Sequence, residues 1–311
     1  MTDPEPDPDV QPDVVPDVTL EDGPRRVLLV AHTGRTDIDQ IVSSAGSRLA
    51  AAGIELVALP EEGPDLDLTV HREEFPVEMV LALGGDGTLL RGAEHARPRG
   101  IGVLGINLGR VGFLAEADAD GIDDALEAII ARRYRLVDRM TVDAFLETPD
   151  GGEQFVGWAL NEISIEKGSR ERILDVVVEV DGRGLSAYGC DGVLVATPTG
   201  STAYAFSAGG PVVWPGVQSL LVVPLNAHAL FARPAMVGPD STVTIHLDPD
   251  GPPALLACDG RRSVALPAGT RVHVRRGAHP VRLVRLADQP FTDRLVRKFS
   301  LPVHGWRDKR H

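Results

Sequence analysis

Three clusters in this sequence have the residue types and spacing that chemistry needs. The first is Gly84-Gly85-Asp86-Gly87-Thr88, directly after the apolar run Met79–Leu83. Glycines let a backbone approach a phosphate closely, and a helix opening at Thr88 offers unpaired N–H groups to an anion. Gly84, Gly85, Gly87 and Thr88 are therefore the candidate phosphate loop. Asp86 stands inside that nest. A carboxylate there repels phosphates unless it takes a proton from an attacking hydroxyl or holds a metal ion, and both are tasks of phosphoryl transfer. The bland alternative is an Asp-Gly turn, and three glycines around one acid argue against it.

The second cluster is the stretch from Thr197 to Pro211, with hydroxyls at Thr199, Ser201 and Thr202 and small residues after them. Small side chains leave room for a flat ligand whose polar edges the hydroxyls can bind; the competing reading is a Ser/Thr-capped helix with a glycine exit. The third is Asn161-Glu162, between the apolar residues Leu160 and Ile163. Adjacent strand side chains face opposite ways, so one of these polar groups enters the interior or a cleft. Rival motifs are missing. The chain has no Gly-Lys dipeptide and hence no Walker A loop, and Gly182–Ala187 fits only the looser dinucleotide fingerprint with no helix after it. No histidine pair has metal-ligand spacing. Cys190 and Cys258 read as small buried residues at strand ends.

The elements that must position these clusters change character along the chain. Short apolar runs at Arg26–Val30, Ile54–Leu59, Met79–Leu83 and Ile101–Ile106 alternate with helical patterns. Ile38, Ile41, Val42, Ala45 and Leu49 share one helix face, with a Thr36–Asp39 capping box before them and Gly53 as the stop. A second helix is expected over Ile122–Arg132. Residues 25–135 therefore predict an α/β domain with a parallel sheet. Beyond it, β-type runs at 136–146, 155–165, 173–180, 192–196, 242–247, 254–258, 271–275 and 281–286, with one helix over 199–209, predict a mainly antiparallel β domain over 136–290. The basic tail 291–311 shows no regular pattern and is expected to pack back on the first domain. Residues 1–24 carry eight carboxylates, six prolines and neither Lys nor Arg, which predicts a disordered acidic arm.

That arm holds −8 of the net charge of −14, so the remainder has no basic character and nucleic acid is excluded as the main partner. No run reaches the ~18 apolar residues of a membrane helix. The acidic N-terminus lacks the apolar core of a signal peptide, and two lone cysteines fit a cytoplasmic protein.

Together GGDGTLL (84–90), LGINLGRVGFLAE (104–116), LNEISI (160–165), YGCDGVLVATPTGSTAYAFSAGGP (188–211) and NAHALFARP (226–234) resemble the NAD kinase family, over roughly residues 26–306. The resemblance is to the actinobacterial type, dependent on ATP or polyphosphate. GGDGT alone is shared with lipid kinases and is similar to a 6-phosphofructokinase motif; its combination with Asn161-Glu162 and TPTGSTAY discriminates. The resemblance implies a Rossmann-like, phosphofructokinase-like first domain and phosphorylation of the adenosine-ribose 2′-hydroxyl of NAD, giving NADP. It implies Asp86 as general base and NAD contact, beside Gly87, with Asn161 and Glu162 on the adenosine ribose. Thr202, Ala203, Tyr204, Ala205, Phe206 and Ser207 would wall the pocket, with Arg91 and Arg172 as further contacts. Asp191 would reach the nicotinamide of a neighbouring subunit, in a homodimer or homotetramer with shared sites. A divalent cation, Mg or Mn, would be bridged by the phosphates and Asp86. Where many members have Pro-x-Cys-Pro-His, this chain has Pro224-Leu-Asn-Ala-His228. A lipid kinase would not need the Asn-Glu pair, and a non-catalytic nucleotide sensor would not need Asp86.

Overall fold

The computed structural model describes residues 24–32, 37–60, 69–70, 75–109, 112–168, 172–287 and 289–303. The acidic segment up to residue 23 and the capping residue Thr36 lie outside them. The chain divides into two compact units, one comprising the chain through Asp138 together with the segment from Val281 onward, the other comprising Arg139–Pro280.

The first unit runs β1 (Arg25–Ala31), α1 (Ile38–Ala51), β2 (Ile54–Ala58), β3 (Thr69–Val70), β4 (Met79–Gly84), α2 (Asp86–Arg99), β5 (Gly102–Asn107), β6 (Ala117–Asp118), α3 (Ile122–Ile130) and β7 (Arg135–Arg139). All six positions of β4 and of β5 are buried. Strands with no polar face must be covered on both sides, as in a parallel sheet flanked by helices. Accordingly β1 pairs in parallel with β2 and β4, and β4 with β5. Helix α1 buries Ile38, Val42, Ala45 and Leu49 as one stripe. It begins after Asp37, which makes no side-chain cap bond, and Gly53 follows it at φ +74°. Helix α2 opens at Asp86, two residues before the expected start.

The second unit contains β8 (Val142–Glu147), β9 (Glu153–Ala159), β10 (Glu162–Lys167), β11 (Leu174–Val180), β12 (Arg183–Cys190), β13 (Gly192–Ala196), the single turn α4 (Tyr204–Ser207), β14 (Leu220–Leu225), β15 (Ala235–Val237), β16 (Val243–Leu247), β17 (Ala254–Cys258), β18 (Arg262–Leu266) and β19 (Arg271–Arg276). They form two six-stranded sheets, β15-β14-β13-β10-β17-β18 and β12-β11-β16-β19-β8-β9. Ile163, Ile165, Val193, Val195 and Leu256 of the first share one core with Val176, Val178, Ile245, Val272 and Val274 of the second, which makes a sandwich. On the opposite face of β13 and β14, Leu194, Ala196, Leu221 and Val223 are covered by Ala205. That packing seats α4.

The chain then returns to the first sheet. β20 (Val281–Arg285) pairs in parallel with β5, and α5 (Phe291–Phe299) follows. Several expectations are thereby corrected. The run 281–286 belongs to the first sheet, and 291–299 is a regular helix. The run 136–146 is two strands in different units, and 155–165 breaks at Leu160-Asn161. Periodicity reports that a residue is buried, not which sheet buries it. β14 escaped because Pro224 interrupts an otherwise apolar run, and proline argues against an inner strand.

Gly105 lies under this framework. A Cβ there would fall 2.5 Å from Leu89 Cδ1 and 3.1 Å from the backbone Cα of Ala115. Gly105→Ala should destabilise the protein by about 1–3 kcal/mol, read as a lowered urea midpoint.

Candidate active site

In the first unit, β4 ends at Gly84, extended Gly85 caps the helix, and Asp86 is its first residue. Gly84 is required by the fold itself, because a Cβ would sit 2.3 Å from Thr88 Oγ1. The Thr88 side chain is accordingly buried against the strand end. Gly85 and Gly87 differ: a Cβ on either would meet nothing within 4 Å. Neither has positive φ, so nothing inside the fold asks for glycine at these exposed positions. What they do is keep the N-terminal turn of a 14-residue helix open, where backbone N–H groups have no intrahelical partner.

Asp86 is not loose in that turn. Its Oδ2 accepts the N–H of Phe113 at 3.0 Å and its Oδ1 that of Leu114 at 3.1 Å. A Cβ on Gly112 would lie 2.2 Å from Oδ1, so only glycine admits the carboxylate there. The stretch 104–116 carries the family resemblance, and no local pattern in it marks Phe113 and Leu114 as partners of Asp86. Arg91 donates from Nη2 to the Ala31 carbonyl at 2.6 Å, tying α2 to the end of β1.

In the second unit, the Leu160-Asn161 break is clamped from two sides. Asp259 accepts the N–H groups of Leu160 (3.0 Å) and Asn161 (2.7 Å). Thr197 donates its hydroxyl to the Leu160 carbonyl at 2.6 Å, and its N–H goes to the Asn161 carbonyl at 2.8 Å. Gly200 closes the clamp, since a Cβ there would sit 2.0 Å from the Asn161 oxygen. Burial raises the buried Asp259 carboxyl, against which its backbone bonds and Arg262 work. Asp259 was not anticipated; its only mark in the sequence is another Asp-Gly turn.

Glu162 is 5% exposed, and its Oε2 has no hydrogen-bond partner among the described residues. Burial first, then Asp259, push its carboxyl up to about 8, with a bond from the Tyr204 backbone opposing. Strand alternation puts Ser164 and Glu166 on the same side as Glu162, opposite Ile163 and Ile165 in the sandwich core. The Tyr204 hydroxyl donates to Glu166 Oε2 at 3.2 Å, and the rings of Tyr204 and Phe206 are 39% and 40% exposed. The second unit thus presents a polar strand face together with two exposed aromatic residues.

Two expected contributors point elsewhere. Ser201 is fully buried, donating to the Pro198 carbonyl at 2.7 Å and accepting from the Val213 N–H at 2.9 Å. Ala205 packs on the outer face of β13 and β14. Thr202 donates to the Thr199 carbonyl at 3.2 Å, and Ala203 and Ser207 retain exposed surface. Asp191 pairs with Lys167 at 2.5 Å and accepts from Asn226 at 2.9 Å, and Lys167 chiefly lowers its carboxyl. Arg172 is exposed just ahead of β11. Both cysteines are buried thiols, with Cys190 pushed up to about 11 by burial. Among the described residues no three acidic, His or Cys side chains gather as a metal site, and no helix is long and apolar enough to cross a membrane.

An open glycine turn at a helix N-terminus, holding one anchored carboxylate, is the arrangement suited to a phosphoryl-transferring α/β enzyme. Comparison with known proteins narrows it. Residues 28–134 match the ATP-NAD kinase N-terminal domain and 160–286 the ATP-NAD kinase C-terminal domain. The chain is 52% identical to an NAD kinase of Nocardia farcinica, over 93% of this chain and 95% of that protein. It is 51% identical to NAD kinase 2 of Streptomyces avermitilis, over 92% and 98%. Among solved structures, an NAD kinase from Archaeoglobus fulgidus in complex with ATP superposes with TM-score 0.68 at 25% identity, covering 89% of this chain and all of that one. Yeast NADH kinase complexed with NADH shares the fold at TM-score 0.81 and 22% identity, over 93% and 91%. The chain belongs to the NAD kinase family.

The raised Glu162 carboxyl has a pH signature. The unfolded chain releases this proton near the ordinary glutamate value while the native state keeps it to about 8, so stability falls as pH rises across that window. Glu162→Gln should flatten this slope. At pH 8 the variant should exceed wild type by roughly 1–3 kcal/mol, and near pH 4 the two should converge, as measured by urea unfolding at a series of pH values.

Proposed function

We propose that this protein transfers a phosphoryl group from ATP to the 2′-hydroxyl of the adenosine ribose of NAD, giving NADP. The observation that carries this reading is the Asp86 carboxylate, anchored by two backbone N–H groups at the mouth of an open glycine turn. Family membership and the ATP in the archaeal relative support the donor. The turn at Gly84, Gly85, Gly87 and Thr88 receives the donor's phosphates with its backbone, and Asp86 takes the proton from the acceptor hydroxyl. Asn161 and Glu162 hold the ribose. The neutral, buried Glu162 carboxyl has a hydrogen-bonding position to offer a sugar hydroxyl. Thr202, Ala203, Tyr204, Phe206 and Ser207 line the rings of the dinucleotide, with Ala205 behind them as support and Arg91 and Arg172 as further contacts. The polar face of β10 suits a nucleotide better than a lipid acceptor.

A divalent cation, Mg or Mn, fits this donor set in one way. With one carboxylate at the turn, it would be held by donor phosphates, water and Asp86. When bound, it neutralises charge on the transferring group. Inorganic polyphosphate presents the same phosphate chemistry to the glycine turn as an alternative donor. The protein acts in the cytoplasm, as a homodimer or homotetramer in which Asp191 reaches the nicotinamide held by a neighbouring subunit.

Asp86→Asn should lower kcat by about 10²–10⁴-fold with KM for NAD changed little, measured as NADP formation from NAD, ATP and Mg²⁺. Activity within threefold of wild type would refute Asp86 as the base. With 2′-deoxyadenosine NAD, no phosphorylated product should form. If Asp191 serves a neighbouring subunit, co-expressing Asp86→Asn with Asp191→Asn should restore activity, up to about a quarter of wild type for a randomly paired dimer. Should Asp191 act only through Lys167 and Asn226 of its own chain, the mixed oligomer will match a blend of the separate variants.

A further inference from the structure

The peptide unit joining Phe113 to Leu114 is bonded on both sides. Its N–H goes to Asp86 Oδ1 at 3.1 Å, and its carbonyl oxygen accepts from Arg294 Nη1 at 3.1 Å. A trans peptide is planar, with C=O and N–H pointing opposite ways. One rigid plate therefore links a guanidinium on α5 to the carboxylate at the glycine turn. The same Nη1 bonds the Ala115 carbonyl at 3.0 Å. Nη2 meets Glu116 Oε2 at 2.8 Å, and Glu116 in turn accepts Arg285 on the same oxygen and the Leu286 N–H on the other. Arg294 is 9% exposed and Glu116 5%. Burial opposes the charge on Glu116, and the two arginines outweigh it and hold its carboxyl below the ordinary range. Around the plate, the Phe113 ring packs between Phe291 and Phe299 of α5, at 6.2 and 5.6 Å.

Charge neutralisation alone does not call for this arrangement. An arginine needed only to neutralise Glu116 has no reason to bring one nitrogen between the carbonyls of Phe113 and Ala115, because Arg285 already pairs with that acid. Hydrogen bonds in series polarise one another, so a cation at the carbonyl end strengthens the N–H as donor to Asp86. We propose that Arg294 is a positioning residue for phosphoryl transfer, holding the Phe113–Leu114 peptide so that it aims and fixes the Asp86 carboxylate. The inference rests on the reading of Asp86 as the base.

The test compares Arg294→Gln, Arg294→Lys, Arg294→Gln/Glu116→Gln and Asp86→Asn in the full chain. Displacing a catalytic group by about 1 Å costs on the order of 10²-fold, so Arg294→Gln should lose that much kcat with KM for NAD changed less than about threefold. Lysine reaches one carbonyl and keeps the charge, and should recover part of the loss. The double variant preserves the net charge of the buried cluster. It should stay as slow as Arg294→Gln if the carbonyl bonds matter, and recover if Arg294 only compensates Glu116. Hydrogen exchange at the Leu114 amide should accelerate in both Gln variants. Near-wild-type kcat in Arg294→Gln beside an inactive Asp86→Asn, or recovery in the double variant, overturns the inference and spares the base. An active Asp86→Asn overturns the base, and the Leu114 exchange rate still reports whether Arg294 holds the peptide. If Arg294→Gln does not fold, Arg294→Lys and the double variant give the same kcat and exchange readings.

Discussion

A carboxylate held by two backbone N–H groups from a distant part of the chain is the interaction on which the first unit's site depends. Asp86 stands at the positive end of a helix, where it is favoured by the dipole and close to any anion bound there. Left free, it could swing toward solvent or cap the helix. The bonds from Phe113 and Leu114 remove that freedom, and Gly112 makes room for them. Positioning of this kind supplies most of what a kinase contributes, since phosphoryl transfer needs little covalent help from the protein.

The second unit uses the same device in reverse. There the carboxylate of Asp259 is the support, and the backbone of Leu160 and Asn161 is what it fixes. The polar side chains follow from the strand that begins at once: Glu162, Ser164 and Glu166 share one face because β10 alternates, and Ile163 and Ile165 anchor the other in the sandwich. Burying Asp259 and Glu162 together is costly, and burial raises both carboxyls.

Much of this was legible beforehand. The one-sided pattern of α1, the all-apolar runs of β4 and β5 and the glycines around Asp86 report physics that is local in the chain. Partners distant in sequence were not legible. Nothing near Asp86 names Phe113 or Leu114, and nothing near Asn161 names Asp259. Ser201 shows the opposite error: in a run of hydroxyls it looked like part of a binding edge, yet it satisfies buried backbone groups. Helix α5 was hidden by its charge. Arg294 reads as surface, and only the structure shows it buried against two backbone carbonyls, those of Phe113 and Ala115, and against Glu116.

The first sheet is interrupted in the chain, for Arg139–Pro280 forms the other unit before β20 and α5 return to it. A ribosome delivering this chain therefore releases the glycine turn early and its support late. Glu116 waits for Arg294 across 178 positions, and contacts of such separation form slowly because the intervening loop must close first. During synthesis the inserted sandwich can complete its own core while the first sheet still lacks an inner strand. The order of the chain thus sets an order of assembly, in which the glycine turn exists before the β20 and α5 residues that complete the sheet around it.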